Sequence, residues 1–194
     1  MEYSPWLYSR GASKYSLPMD NQENFRQFTE LLLGISDMEI ELFTRDETRH
    51  AAELMVQQCQ ESLEIFTRDL DAPLYDQQPF LQALGALCLR NRKARVRILV
   101  QEPSTPVKRN HRLIELSRRL SSSIELRQPH PDYRQHNEAF LIADRCGLIY
   151  RALADRYEGS ANFYNPVEAQ RKLDFFTEVW ERSEPHPEFR RLHI

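Results

Sequence analysis

The chain has 194 residues, a formal net charge of −3, and 41% hydrophobic and 28% charged residues. That suits one domain with a full core, and the slight acidity gives no whole-chain case for nucleic acid or an anionic membrane, although a local basic patch stays open. No apolar run nears the ~20 residues of a membrane span, because Leu31-Leu32-Leu33 stops at Gly34. Met1 to Pro5 lacks the basic start of a secretory leader. Cys59, Cys88 and Cys146 form no Cys-x-x-Cys pair, so the expectation is a reduced, cytoplasmic protein without a zinc or disulfide framework.

Residues 1–20 mix Tyr, Ser, Pro and Gly without a period and read as an arm. Asn24 can cap a short helix carrying Phe25, Phe28, Leu31 and Leu32, with Gly34 as its stop. Glu39–Phe43 alternates polar and apolar, as a strand does. Asp46 then caps a helix to about Cys59, with Ala51, Ala52 and Met55 at helical spacing, and Ser62–Thr67 is the next strand. The run Leu42-Phe43-Thr44-Arg45-Asp46 returns as Ile65-Phe66-Thr67-Arg68-Asp69, read as two strands that end alike at the sheet rim. A helix opened by Asp76 carries Phe80, Leu81, Leu84, Leu87 and Cys88, and ends in Arg90-Asn91-Arg92-Lys93, which suits its C-terminal dipole. Arg95–Val100 follows as a central strand, then a helix over 107–120 and a strand over Ser123–Gln128. Glu138–Ala143 and Leu148–Leu153 form a hairpin about Asp144-Arg145-Cys146-Gly147. Asn165-Pro166 starts a last helix that buries Leu173, Phe176 and Trp180 and ends near Ser183.

Alternation of strand and helix, then a hairpin and a helix, predicts an α/β fold: a mixed sheet with helices on both faces. The expected organisation is an arm over 1–24, the α/β domain over 25–183 and a tail over 184–194.

Two stretches carry a resemblance, His136-Asn137-Glu138-Ala139-Phe140-Leu141-Ile142-Ala143-Asp144 and Gly159-Ser160-Ala161-Asn162-Phe163. Together they resemble the phospholipase D superfamily signature, His-x-Lys, four residues and Asp, then Gly-Ser-x-Asn. The likeness spans roughly 60–183 and implies one half of a phospholipase D-like enzyme. In that family a histidine attacks a phosphodiester and a lysine neutralises the phosphoryl oxygens. The resemblance makes His136 the nucleophile and puts Ser160 and Asn162 at the phosphate. One motif copy implies a homodimer, since the family builds one site from two halves.

Three departures point to lost catalysis. Glu138 stands where the lysine belongs, Asp144 comes one residue late, which on a strand means the opposite face, and Gly159 lies about nine residues too far from His136. Arg151 or Arg156 could supply the missing cation. Asp155 through Pro166 also resembles the hallmark of an uncharacterised bacterial family associated with GNAT-type acetyltransferases. No acetyl-CoA loop is present, the five glycines being scattered, and no cofactor or metal is implied. His130, Asp132 and His136 match no regular ligand spacing. Tyr133, Arg156, Tyr157, Phe163 and Tyr164 could bind a planar or phosphate-bearing ligand, or merely fill the site. The expected function is an inactive phospholipase D-like domain acting as a binding or regulatory module for such a ligand or a protein such as an acetyltransferase. The alternatives are a divergent phosphodiesterase or nuclease using His136, and a nucleic-acid binder using Arg90–Arg97, Lys108, Arg109, His111 and Arg112.

Overall fold

The computed structural model of the protein describes Phe28 and residues 30–190. In chain order the elements are β1 (Glu39–Leu42), α1 (Arg45–Gln58), β2 (Ser62–Thr67), α2 (Ala72–Tyr75), α3 (Gln78–Arg90), β3 (Arg95–Val100), α4 (Ser104–Lys108), α5 (Arg112–Arg119), β4 (Ile124–Arg127), a 3₁₀ turn (Pro131–Tyr133), β5 (Ala139–Ala143), β6 (Gly147–Arg151), β7 (Gly159–Asn162), α6 (Pro166–Glu181) and α7 (Pro187–Arg190). Seven strands form one mixed sheet in the order β1-β7-β6-β5-β2-β3-β4. The β2, β3 and β4 pairings are parallel, and all the others are antiparallel. The mixed α/β sheet read from the sequence is therefore the fold.

The sheet sorts its side chains by period two. Leu63 and Ile65 of β2, Val96 and Ile98 of β3 and Leu141 of β5 face α1, α3 and α5. Phe66, Leu99, Phe140, Ile142 and Leu148 face α6, which buries Ala169, Leu173, Phe176, Val179 and Trp180 against them. At roughly 1.5–3 kcal/mol for each large apolar side chain, this single helix is a major stabiliser of its face.

Local chemistry sets the boundaries. Thr44, not Asp46, caps α1: its Oγ1 accepts from the Glu47 N–H at 3.2 Å while Glu47 Oε2 accepts from the Thr44 N–H at 3.0 Å, a reciprocal capping box. Asn165 caps α6 through the Glu168 N–H at 3.1 Å, with Pro166 at the first position. The hairpin turns through Asp144 (φ 48°) and Arg145 (φ 59°), both left-handed as a tight antiparallel connection requires.

Two further expectations are corrected. The helix over 107–120 is two helices, because Asn110 turns left-handed (φ 50°) and His111 caps α5 by accepting from the Leu113 N–H at 3.2 Å. Residues 30–34 form turns rather than the end of a helix from Asn24, whose first residues lie outside those described. Gly159–Asn162 is a strand, held between β1 and β6. Gly159 is needed there, since a Cβ would run into the Tyr150 carbonyl. The arm over 1–24 lies outside the described residues. Residues 184–190 stay on the domain: Glu184 pairs with Gln128, and Phe189 is buried.

Candidate functional site

The sheet is built in one direction from β2 through β3 to β4, and in the other from β5 through β6 to β7. The crevice at such a switch point, outside the C-terminal ends of the parallel strands, is where open α/β sheets bind ligands. Here it lies between the end of β2 at Thr67 and the start of β5, since Phe66 pairs with Phe140. His136, Asn137 and Glu138 occupy that position.

The backbone of this segment is fixed on both sides. Gln101 Nε2, just past β3, donates to the His136 carbonyl at 2.7 Å and the Tyr133 carbonyl at 3.0 Å. The Asn137 carbonyl accepts from the Ala154 N–H at 2.6 Å, and its side-chain oxygen accepts from Arg68 at 3.1 Å. The His136 ring stacks on Phe175 of α6, centroids 4.4 Å apart, and meets Phe66 edge-on at 5.2 Å. A quarter of the His136 side chain is exposed, yet Nε2 is buried. Nε2 lies 3.2 Å from Glu138 Oε2 but makes no hydrogen bond among the described residues, the approach being badly aligned. Burial pushes the imidazole below its usual pKa and Lys172 acts in the same direction, outweighing the pull of Glu138. It is therefore neutral at pH 7.

Glu138 is the hub. Its Oε2 accepts from Lys172 Nζ of α6 at 2.6 Å and its Oε1 from Tyr150 Oη of β6 at 3.0 Å. Burial would raise the carboxyl, but Lys172 and Tyr150 together hold it below the ordinary carboxylate range. The Lys172 ammonium also lies 4.2 Å from the Tyr150 ring centroid and 5.9 Å from that of Phe140. One imidazole, one carboxylate, one ammonium and one phenol thus meet on the α6 side of the rim.

The other candidate residues go elsewhere. Asp144 is not on the opposite strand face; it is in the turn at the far end of β5, roughly 20 Å from Glu138 at ~3.3 Å per strand residue. Its carboxylate accepts from the N–H groups of Gln60 (2.8 Å), Glu61 (2.7 Å) and Ser62 (3.0 Å). Ser160 sits on β7 opposite Tyr150 and makes no hydrogen bond through its side chain among the described residues. Asn162 is engaged by backbone at both ends, donating to the Asp37 carbonyl at 3.0 Å and accepting from the Tyr164 N–H at 2.8 Å.

Arg151, Arg156 and Tyr157 belong to the opposite side of the same rim. Arg151 is 2% exposed and donates through Nη1 to Asp71 at 2.9 Å and the Arg156 carbonyl at 3.0 Å, while its Nη2 is buried without a hydrogen-bond partner among the described residues. Burial raises the Asp71 carboxyl despite Arg151. Tyr157 reaches Asp71 at 3.4 Å, and the Arg156 side chain is exposed. Neither arginine reaches the His136 cluster as a substitute cation; Lys172 does.

Sequence reasoning missed Lys172, Tyr150, Phe175 and Phe66. Lys172 left one trace: it lies three residues after Ala169 and four before Phe176, inside the apolar stripe of α6, and a charge there demands a partner. Part of the basic stretch is taken up by the fold, while Arg92, Lys93, Lys108 and Arg109 are exposed. Arg90 binds the Cys59 carbonyl at 2.7 Å, Arg97 forms a 3.0 Å ion pair with the buried Glu64, Arg112 is engaged by Asp76, and His111 is buried. His130 contacts Asp132, which also binds Arg182. Among the described residues no three His, Cys, Asp or Glu side chains are placed to hold a metal, and no helix is long and apolar enough to cross a membrane.

Residues 44–192 match the profile of the family described as Domain of unknown function (DUF7931). No curated protein matches the chain. Among solved structures, TrmBL2, an archaeal chromatin protein described as showing a novel mode of DNA binding, is similar at 14% identity with a TM-score of 0.58; the alignment covers 86% of this chain and 60% of that protein. Nuc from Salmonella typhimurium, a phospholipase D family member, is 15% identical with a TM-score of 0.52, covering 70% of this chain and 88% of its own. NucT from Helicobacter pylori is 10% identical with a TM-score of 0.51, covering 77% and 99%. At these identities the likeness is one of fold, and the fold is phospholipase D-like.

Proposed function

The chain belongs to that domain family, and we propose that it is a catalytically silent phospholipase D-like domain, a binding or regulatory module rather than a phosphodiesterase. The observation that carries this is the His136–Glu138 contact. The nitrogen that would attack phosphorus is buried and faces a carboxylate 3.2 Å away. A phosphodiester approaching it meets an anion where the motif calls for a cation, and loss of one such electrostatic group costs catalysis about 2.7–4 kcal/mol, or 10²–10³ in rate. The test is hydrolysis of bis(p-nitrophenyl) phosphate by the wild-type chain and by His136→Ala. Equal, background-level release is expected; turnover that disappears in the variant overturns the proposal.

A second reading, a divergent phosphodiesterase, is favoured by Lys172, a cation delivered to the same cluster from α6. It requires that the same assay lose its turnover in Lys172→Met as well as in His136→Ala. The ligand class that goes with the silent module is a phosphate-bearing molecule or a protein such as an acetyltransferase, acting on a homodimer in the cytoplasm. Light scattering should then return twice the 23.1 kDa chain mass; a monomer would refute the dimer. Nucleic acid is disfavoured by the engaged arginines, and steeply salt-dependent DNA binding would reinstate it.

A further inference from the structure

Three polar groups, from α6, β6 and the loop before β5, converge on the Glu138 carboxylate. They are Lys172 Nζ of α6 at 2.6 Å, Tyr150 Oη of β6 at 3.0 Å, and the buried Nε2 edge of His136 at 3.2 Å. An ammonium and a phenol that donate to one carboxylate, beside a buried imidazole nitrogen with no hydrogen-bond partner among the described residues, form the lining of an oxyanion receptor. We propose that Glu138 is a built-in ligand, whose carboxylate fills a small oxyanion site made by Lys172, Tyr150 and His136, and that a phosphate or carboxylate takes its place when the side chain withdraws.

The geometry around the cluster favours this over a plain structural ion pair. Lys172 and Glu138 keep 23% and 28% of their side chains exposed, and pairs so open to water add little stability. Yet the ammonium is aimed with care: it leaves the apolar stripe of α6 and lies 4.2 Å from the Tyr150 ring centroid. The backbone at 136–138 is fixed by Gln101 and Ala154, and Arg68 holds the Asn137 side chain. Withdrawal therefore needs only rotation of the Glu138 side chain into the solvent it already touches. With the carboxylate in place, ammonium and carboxylate cancel and the neutral imidazole adds no charge, so an incoming anion finds no attraction. With it gone, Lys172 stands uncompensated beside a gap of carboxylate size.

This inference rests on the silent-module reading but is tested by binding rather than turnover. Thermal unfolding of the full chain is followed against inorganic phosphate and, separately, acetate, at matched ionic strength and with the wild type as baseline for general salt effects. Glu138→Ala should gain a saturable rise in Tm over that baseline, of the order of 2–4 °C for each kcal/mol of binding free energy. Glu138→Gln, which keeps the plug's volume, should gain none, and Glu138→Ala/Lys172→Met should lose the gain. If Glu138→Ala does not fold, Glu138→Ser, which also empties the site but keeps a polar side chain, replaces it. A rise with phosphate but not acetate assigns the site to phosphate, and the reverse assigns it to carboxylates. No saturable rise over the wild-type baseline, or a gain that survives Lys172→Met, overturns the proposal. Wild-type turnover in the phosphodiester assay overturns only the silent-module reading.

Discussion

The rim at the C-terminal end of β2 carries two ion clusters on opposite faces of one sheet. Arg151 and Asp71 keep 3% and 11% of their side chains exposed, whereas Lys172 and Glu138 keep 23% and 28%. Arg151 is further enclosed by the Arg156 carbonyl and the Tyr157 ring, its guanidinium 5.6 Å from the ring centroid. Charges taken that far out of water must be paired to be tolerated, and removing either partner leaves the other stranded. Charges that water still reaches can be parted cheaply, which a binding site needs. The closed cluster holds the fold together, and the open one is suited to exchange its contacts.

The comparison breaks most visibly at Arg151. Arg151→Met strands Asp71 and should cost about 3–5 kcal/mol of stability, read as a lower urea midpoint. A loss as small as that of a surface mutant would mean that the pair is hydrated and the two clusters are alike. Asp144→Ala comes next, since it orphans three backbone N–H groups at the start of β2, and should cost about 1–3 kcal/mol. Because Asp144 is remote from His136, it should leave anion binding by the Glu138→Ala background unchanged. Lys172→Met should cost only about 1 kcal/mol or less, because the pair it breaks is part-exposed. A loss as large as that of Arg151→Met would make Lys172 a structural residue and weaken the case for an exchangeable site.

What the sequence discloses follows the same division. Strands with apolar alternation, such as Ser62–Thr67 and Arg95–Val100, and helices with a polar cap, such as the one after Asn165, are set by local chemistry and could be read off. Gly159–Asn162 could not, because Gly-Ser-Ala-Asn has no β-branched or aromatic residue and is a strand only through its neighbours. The break at Asn110 was hidden for a related reason: Leu113, Leu116 and Leu120 keep helical spacing, but all three follow the turn and do not report where their helix begins. In the site, His136 and Glu138 are two residues apart and legible as a motif. Lys172 is 34 residues further on and arrives by tertiary packing, leaving only an oddly placed charge in an apolar stripe. Asp144 showed the converse, since its motif position suggested chemistry and its hydrogen bonds show a backbone brace.

The finest test of the difference between the two clusters is proton linkage at their histidines. His111 belongs to the closed side: 3% exposed, it donates from Nε2 to the Leu70 carbonyl at 3.2 Å, next to Asp71, and accepts at Nδ1 from the Leu113 N–H. Burial lowers its pKa, with Arg112 acting the same way against Asp76 and Asp69; burial likewise lowers that of His136, with Lys172 acting the same way against Glu138. In both cases the folded state binds fewer protons than the unfolded chain below the ordinary value of 6.5. Stability from each is therefore complete above that pH and is lost as pH falls through and below it. Urea midpoints from pH 8 to 5.5 should decline in the wild type, and His111→Gln should flatten the decline more than His136→Gln. Protonating His111 destroys the acceptor that caps α5, whereas protonating His136 adds a cation facing Glu138. If His136→Gln flattened the curve more, the carboxylate would not be compensating that charge, and the open cluster would not be the receptor described above.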